Sequence, residues 1–406
     1  MRSPAINWMI LALVVGVTIA SWSGGVKYAD LLSSPGKLEI VRQPPAADYT
    51  GMPSHGKIES LPSYRPGSGS NWQVDLRSCD LSTVDLRDRR EDLLHADFDS
   101  RTIWPARLPE GFDVARVMDL GKNPGLGLRA LHARGITGAG VGIGIIDQAL
   151  LVEHVEYKKQ LRLYEEIHWF EGEGAEAQMH GPAVASIAVG KSVGVAPEAD
   201  LYYIAEWHAR SLGALGFEFD LPPLARSIDR LVAISKTLPR ERRIRVISIS
   251  LGINPRMKGF DLVKDAMSRA EQAGIYTVYV GADFMGLGRE PLENPDEFTS
   301  FGPGEFWKRS WRGGTGSLMV PMDSRCIAGP TGDSDYAFYR NGGMSWAVPW
   351  VAGLYALACQ VNPQVTPEIF WETARKTGVI TKIQRDGKAV EFGPVVNPRG
   401  LLEALR

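Results

Sequence analysis

Residues 140–150 read GVGIGIIDQAL. Val141 to Ile146 form a short apolar run, β-branched and punctuated by glycine, that ends on Asp147. Such a run is too short for a helix and too apolar for a half-exposed strand, so it reads as a buried strand. The segments around it alternate. Upstream, Gly125–Arg134 (GLGLRALHAR) has the spacing of an amphipathic helix closed by Gly135. Downstream, His180–Ala188 reads as a helix, Leu201–Ala205 (LYYIA) as a strand, and Pro223–Leu238 as a long helix. Arg245–Leu251 (RVISISL) is again a strand, Phe260–Ala273 a helix and Ile275–Val280 (IYTVYV) a strand. Buried strands alternating with amphipathic helices predict a three-layer α/β fold, a mostly parallel sheet flanked by helices. In such sheets chemistry collects at the carboxyl ends of the strands. Asp147, Ser250 and Asp283 each stand where a strand ends.

Composition narrows the function classes. The chain has 406 residues, 44% hydrophobic and 23% charged, which is ordinary globular usage. Lys and Arg number 45 and Asp and Glu 47, a net charge of −2, so no global basic field favours nucleic acid. Cys79, Cys326 and Cys359 cannot build a disulfide framework and none pair as C-x-x-C. Gly190-Lys191-Ser192 lacks the earlier glycine of a phosphate loop, since that position is Ala185. The glycines at 138, 140, 142 and 144 do not satisfy G-x-G-x-x-G. No H-E-x-x-H occurs, and Asp333 and Asp335 lack the spacing of a calcium loop. No cofactor or metal is expected to be required, and structural calcium is not indicated.

The N-terminal quarter is organised differently. Arg2 precedes Trp8–Ala20 (WMILALVVGVTIA), which carries no charge. Read from residue 5 to 22, the stretch is long for a signal-peptide core and just short of the ~20 residues that span a bilayer. Residues 1–25 are therefore a signal peptide or a retained signal-anchor, the alternative being a buried helix. Either targeting reading places the rest outside the cytoplasm, secreted or membrane-anchored. Residues 26–71 are a linker or strap, rich in Pro, Gly and Ser from Pro44 onward. A period-five repeat follows, Asp75-Leu76, Asp80-Leu81 and Asp85-Leu86. Three such units cannot bury a core alone, so residues 72–125 are expected to pack on the main domain, as an extension or a propeptide.

Three segments carry the chemistry: the Asp147 strand, HGPAVASIAVG from His180, and NGGMSWAVPWVAG around Ser345. Singly, each has a bland reading: a strand-end cap, a structural histidine, a helix N-cap. In the order Asp, His, Ser they resemble the subtilisin-like serine protease family, the subtilases, over roughly residues 125–403. HGPAVASI is similar to the family's H-G-T-H-V-A-G-I, and GMSWAVPWVAG to its G-T-S-M-A-S-P-H-V-A-G. Val193–Pro197 (VGVAP) and Val246–Gly252 (VISISLG) match further family segments. The resemblance implies a subtilisin-like catalytic domain over residues 126–406. It implies that Ser345 is the nucleophile, His180 the general base and Asp147 the group that orients it. Ser250, Leu251 and Gly252 would pair with an extended peptide substrate.

The chain departs from the family at several points. Relatives usually end a strand in A-A-G-N, whose Asn donates to the tetrahedral oxygen, whereas here Val280-Gly281-Ala282-Asp283 stands in that register. An ionised carboxylate cannot donate, though a protonated one can. A few proprotein-processing relatives also carry Asp there, so Asp283 implies a slowed or acid-shifted enzyme. The second His-motif histidine is Ala183. Trp346 and Trp350 replace Met and His beside the nucleophile, either narrowing the cleft or filling space left by smaller neighbours. The expected activity is that of an exported serine endopeptidase acting on a protein or peptide. The alternatives are a weak or inactive peptide-binding or regulatory protein on the same fold, and an esterase or amidase.

Overall fold

In the computed structural model of the protein, residues 38–49, 55–66, 68, 72–168, 176–211, 217–281, 283–308 and 317–406 are described. Residues 1–25 lie outside them, so the signal or anchor reading does too.

In chain order, the elements that build the site are strands β1 (Val74–Asp75), β2 (Ala96–Asp99), β3 (Gly142–Asp147) and β4 (Leu161–His168), helix α1 (His180–Val189), strand β5 (Asp200–Glu206) and helix α2 (Pro222–Thr237). Strand β6 (Ile244–Gly252), helix α3 (Phe260–Gln272) and strands β7 (Tyr276–Val280), β8 (Arg325–Ala328) and β9 (Tyr336–Tyr339) follow. Helices α4 (Met344–Val361) and α5 (Pro367–Thr377) come next. The central sheet runs β7-β6-β3-β5-β4 with every pairing parallel.

The three layers follow from the pleat. Along β5, Leu201, Tyr203 and Ala205 enter one core with α1 and α4, while Tyr202 and Ile204 enter another with α2 and α3. Alternate side chains of a strand point to opposite faces, so a strand apolar at every position needs a helix layer on each side. The expected three-layer α/β fold is the one observed, and α1 and α2 begin and end within a residue of their expected limits. The amphipathic stretch from Gly125 is shorter than expected, helical only over Leu128–His132.

Residues 72–125 belong to the same folded body. β2 pairs antiparallel with β9, Phe98 opposite Phe338, in a sheet ordered β8-β9-β2-β1. The period-five repeat has a local cause. Asp75, Asp80 and Asp85 each accept the backbone N–H two residues on, at 3.2, 2.9 and 3.1 Å. An aspartate that does this closes a turn on its own backbone. The following leucines, Leu76, Leu81 and Leu86, then point inward and are fully buried. Their core includes Val193, Cys326 and Phe338 from later in the chain. Upstream, the strap docks at the sheet edge: Val41 N–H donates to Tyr164 O at 3.0 Å and Tyr164 N–H to Glu39 O at 2.9 Å. Further along, Pro45 O accepts from Ala177 N–H at 2.8 Å.

Two buried carboxylates hold the loop between β9 and α4. Asp97 Oδ1 accepts the Arg340 N–H at 2.6 Å, and Asp323 Oδ1 accepts the Gly342 N–H at 2.8 Å. Burial pushes Asp97 up to about 8, with the Asp75 carboxylate adding to the rise. Burial also pushes Asp323 up to about 6, against the N–H groups that it accepts. Among the described residues Asp97 Oδ2 has no hydrogen-bond partner. A neutral carboxyl avoids stranding a charge at that atom.

Two outcomes are expected. Phe98→Ala should cost about 3–5 kcal/mol in denaturant unfolding, as for a large aromatic removed from a core. A chain beginning at residue 126 should correspondingly show no cooperative transition. The second outcome concerns pH. The folded pKa of Asp97 lies above its unfolded value, so the folded state holds the extra proton. Its contribution is full below about pH 4 and is lost as pH rises through about 8. The stability of the wild type relative to Asp97→Asn should fall across that window. A difference independent of pH would show that Asp97 is charged throughout.

Candidate active site

Asp147 is the last residue of β3, and its side chain is 4% exposed. His180 opens α1, and its Nδ1 lies 2.7 Å from Asp147 Oδ1. An ionised carboxylate only accepts, so Nδ1 carries the hydrogen and Nε2 is left as the basic nitrogen. The helix can start this close because the next residue is glycine. A Cβ on Gly181 would stand 2.6 Å from Gln148 O and 2.7 Å from Ala149 O. Gln178 N–H also donates to Ala149 O at 3.0 Å, tying the approach to α1 onto the loop that follows Asp147.

Ser345 is the second residue of α4 and is half-buried. Gly343 turns the chain into the helix with φ of 85°, a left-handed value that glycine takes without strain. Pro349 has no N–H, so the carbonyl of Ser345 lacks its usual helical donor. Ser250 Oγ supplies one, at 3.0 Å. In return Ser345 Oγ lies 3.5 Å from Ser250 O, at the limit of a hydrogen bond. The N–H of Ser345 falls in the first turn of α4, where helix geometry gives it no internal acceptor. Trp346 links the two halves of the site. It follows Ser345 in sequence, and its ring lies 5.4 Å from the His180 ring, centre to centre. The described hydrogen bonds thus join His180 to Asp147 and Ser345 to Ser250, while His180 lies against Trp346, the residue after Ser345.

The other expected residues divide. At the end of β6 the register shifts between Ile249 and Gly252, so Ser250 and Leu251 have no ladder partner on β7. Leu251 is buried in the core under α2 and α3, whereas Gly252 is exposed. The Asp283 carboxylate meets Arg375 of α5 at 3.3 Å, with its side chain 58% exposed. Among the described contacts none joins Asp283 to His180 or Ser345. Its neighbour Phe284 stacks on Trp371, one turn before Arg375 on α5, which places Asp283 beside that helix. Trp350 is fully buried and donates to Pro124 O at 2.9 Å, and Trp346 is 3% exposed. Both indoles fill the interior and neither narrows an open cleft.

The bland readings of other groups agree with the geometry. His154 is buried, with Nε2 2.8 Å from Asp335 O. Asp335 is taken up by Arg101 at 2.6 Å and Thr331 at 2.9 Å, in a turn. The three thiols are buried, and burial pushes each of them well up, Cys79 to about 11. Among the described residues no cluster of His, Cys, Asp and Glu could hold a metal ion.

Comparison with known proteins agrees in family. Residues 138–299 match the model of the subtilase family, a span that includes Asp147 and His180 and stops before Ser345. The chain is similar to the subtilisin-like protease PopC of Myxococcus xanthus, at 27% identity over 286 residues. That match covers 59% of this chain and 56% of the relative, so the chain spans little more than half of the relative's length. Among solved structures it is similar to the prenylagaramide maturation protease PagA, at 16% identity and a TM-score of 0.47, over 69% of this chain and 98% of the other. The PatG macrocyclase in complex with peptide is similar at 15% identity and a TM-score of 0.46, over 69% and 95%. Over residues 138–299 the chain is thus similar to the subtilase family.

Proposed function

We propose that the chain is an exported serine endopeptidase that cleaves peptide bonds through an acyl-enzyme on Ser345. The observation that carries this reading is the 2.7 Å pair between His180 and Asp147, set beside a serine at the start of α4. His180 Nε2 takes the proton from Ser345 Oγ as the oxygen attacks the scissile carbonyl. The carbon–nitrogen bond then breaks, and His180 returns the proton to the leaving amine. Water repeats the sequence on the ester, releasing the acid and restoring the serine. Asp147 holds the imidazole in the required tautomer and stabilises its cation. Catalytic hydrogen bonds in substrate-free sites are commonly long, so a Ser345 hydroxyl that lies 3.5 Å from Ser250 O is compatible with this chemistry.

The Ser345 N–H, at the positive end of α4, would bind the oxygen of the tetrahedral intermediate. Asp283 would serve as the second donor only after leaving Arg375 and taking up a proton. Ser250 and Leu251, which have no ladder partner on β7, would offer backbone to which an extended peptide can add as a strand. The export and membrane readings rest on residues 1–25 alone.

The ion pair between Asp283 and Arg375 favours a second reading, a peptide-binding protein without turnover. A fluorophosphonate probe applied across about pH 4–9, with Ser345→Ala as control, separates the two. Labelling that disappears in the variant is the expected result, and a profile shifted to acid would mark a role for neutral Asp283. Folded protein that never labels would leave the binding reading. Ser250→Ala should slow labelling by about 2–10-fold, equivalent to the 0.5–1.5 kcal/mol of one hydrogen bond. An unchanged rate would show that the donor to the Ser345 carbonyl has no part in placing the nucleophile.

A further inference from the structure

We propose that Arg77, which precedes the family-matched region, is a positioning residue for His180 and acts through Tyr339 and Trp346. The proposal rests on the catalytic reading of His180 given above.

Arg77 sits in the first of the three aspartate turns. Its Nε and one terminal nitrogen grip the Asp75 carboxylate at 2.8 and 2.6 Å. Its backbone N–H donates to the same carboxylate. A guanidinium held on two parallel bonds has its plane fixed, which a lysine ammonium cannot reproduce. The remaining terminal nitrogen donates to the Tyr339 hydroxyl, and the guanidinium carbon lies 5.1 Å from the centre of that ring. Tyr339 ends β9 and is buried. Its ring meets Trp346 edge to face, with centres 5.6 Å apart and planes at 85°. Trp346 in turn lies against His180, at 5.4 Å and 58°.

These contacts form one continuous file of planar groups from Asp75 to the imidazole. Asp147 holds His180 at Nδ1, and a single hydrogen bond leaves the ring free to swing about it. The indole against the ring removes that freedom. Among the described residues the Trp346 N–H has no hydrogen-bond partner, although the residue is 3% exposed. A buried polar atom left unpaired is unfavourable, so it is the flat ring and not its polar atom that the site uses. Tyr339 fixes the indole from the far side, and Arg77 fixes Tyr339. A base displaced by even part of an ångström loses proton-transfer rate while substrate binding at β6 is untouched.

The test uses the full chain carrying Arg77→Gln or Arg77→Lys. The readouts are kcat and KM on a peptide substrate, the unfolding midpoint, and the imidazole proton resonances of His180. Arg77→Gln is expected to lower kcat on the order of 10-fold with KM within about twofold and to shift the His180 resonances. Arg77→Lys should recover part of both. If kcat and the resonances stay at wild-type values while only the unfolding midpoint falls, Arg77 is structural and the proposal is overturned. Should Arg77→Gln not fold, Tyr339→Leu removes the ring behind Trp346 and is read in the same way. A wild type that neither labels nor hydrolyses would remove the proposed function instead. The His180 resonances need no turnover and decide the positioning in either case.

Discussion

A parallel sheet must be covered on both faces, and in this chain the covering of one face brings the site together. α1 and α4 lie on the same side of the sheet, in the core that takes Leu201, Tyr203 and Ala205 of β5. α1 begins with His180 and α4 with Ser345 in its first turn, so packing two apolar helices side by side sets two helix starts next to each other. β3, buried along its whole length, delivers Asp147 to the same end. The site therefore inherits its geometry from the hydrophobic layer below it. The small residues that look incidental, Gly181 in particular, are what allow the backbones to approach closely enough.

The segment before residue 126 takes part in that geometry. β2 supplies a partner to β9, and β9 leads directly into the loop that ends at Ser345. Asp97 from β2 and Asp323 from just before β8 each hold one backbone N–H of this loop. Buried carboxylates are unfavourable unless neutral or well paired, and the raised pKa of Asp97 lets it hold the loop in its neutral form.

Much of this was legible in the sequence. The alternation of buried strands with amphipathic helices is a property of residue spacing, and it located α1, α2, β5, β6 and β7 closely. The pair between His180 and Asp147 joins residues 33 apart, and it followed from the order of the motifs. What spacing could not show is contact between segments far apart in the chain. Arg375 lies 92 residues from Asp283, and nothing local announces that the carboxylate turns toward it. For Trp346 and Trp350 the sequence leaves two roles open, narrowing a cleft or filling space, until Tyr339 and Pro124 are seen packed against them. The repeat of Asp and Leu at residues 75–86 was visible as a period. Its cause, an aspartate closing a turn on its own backbone, could have been named from turn chemistry alone.

The strap beside β4 has a consequence of another kind. β4 is an end strand of the central sheet, and an end strand presents unpaired N–H and C=O groups to any extended chain that meets it. Residues 39–41 occupy that row by pairing with Tyr164, and Arg42 pins the strap to Glu166 at 2.6 Å. The protein thereby caps its own sheet with its own backbone. A copy clipped between Arg42 and Pro45, with the strap lost, would expose a ready template for edge-to-edge aggregation, so the strap guards solubility as well as shape.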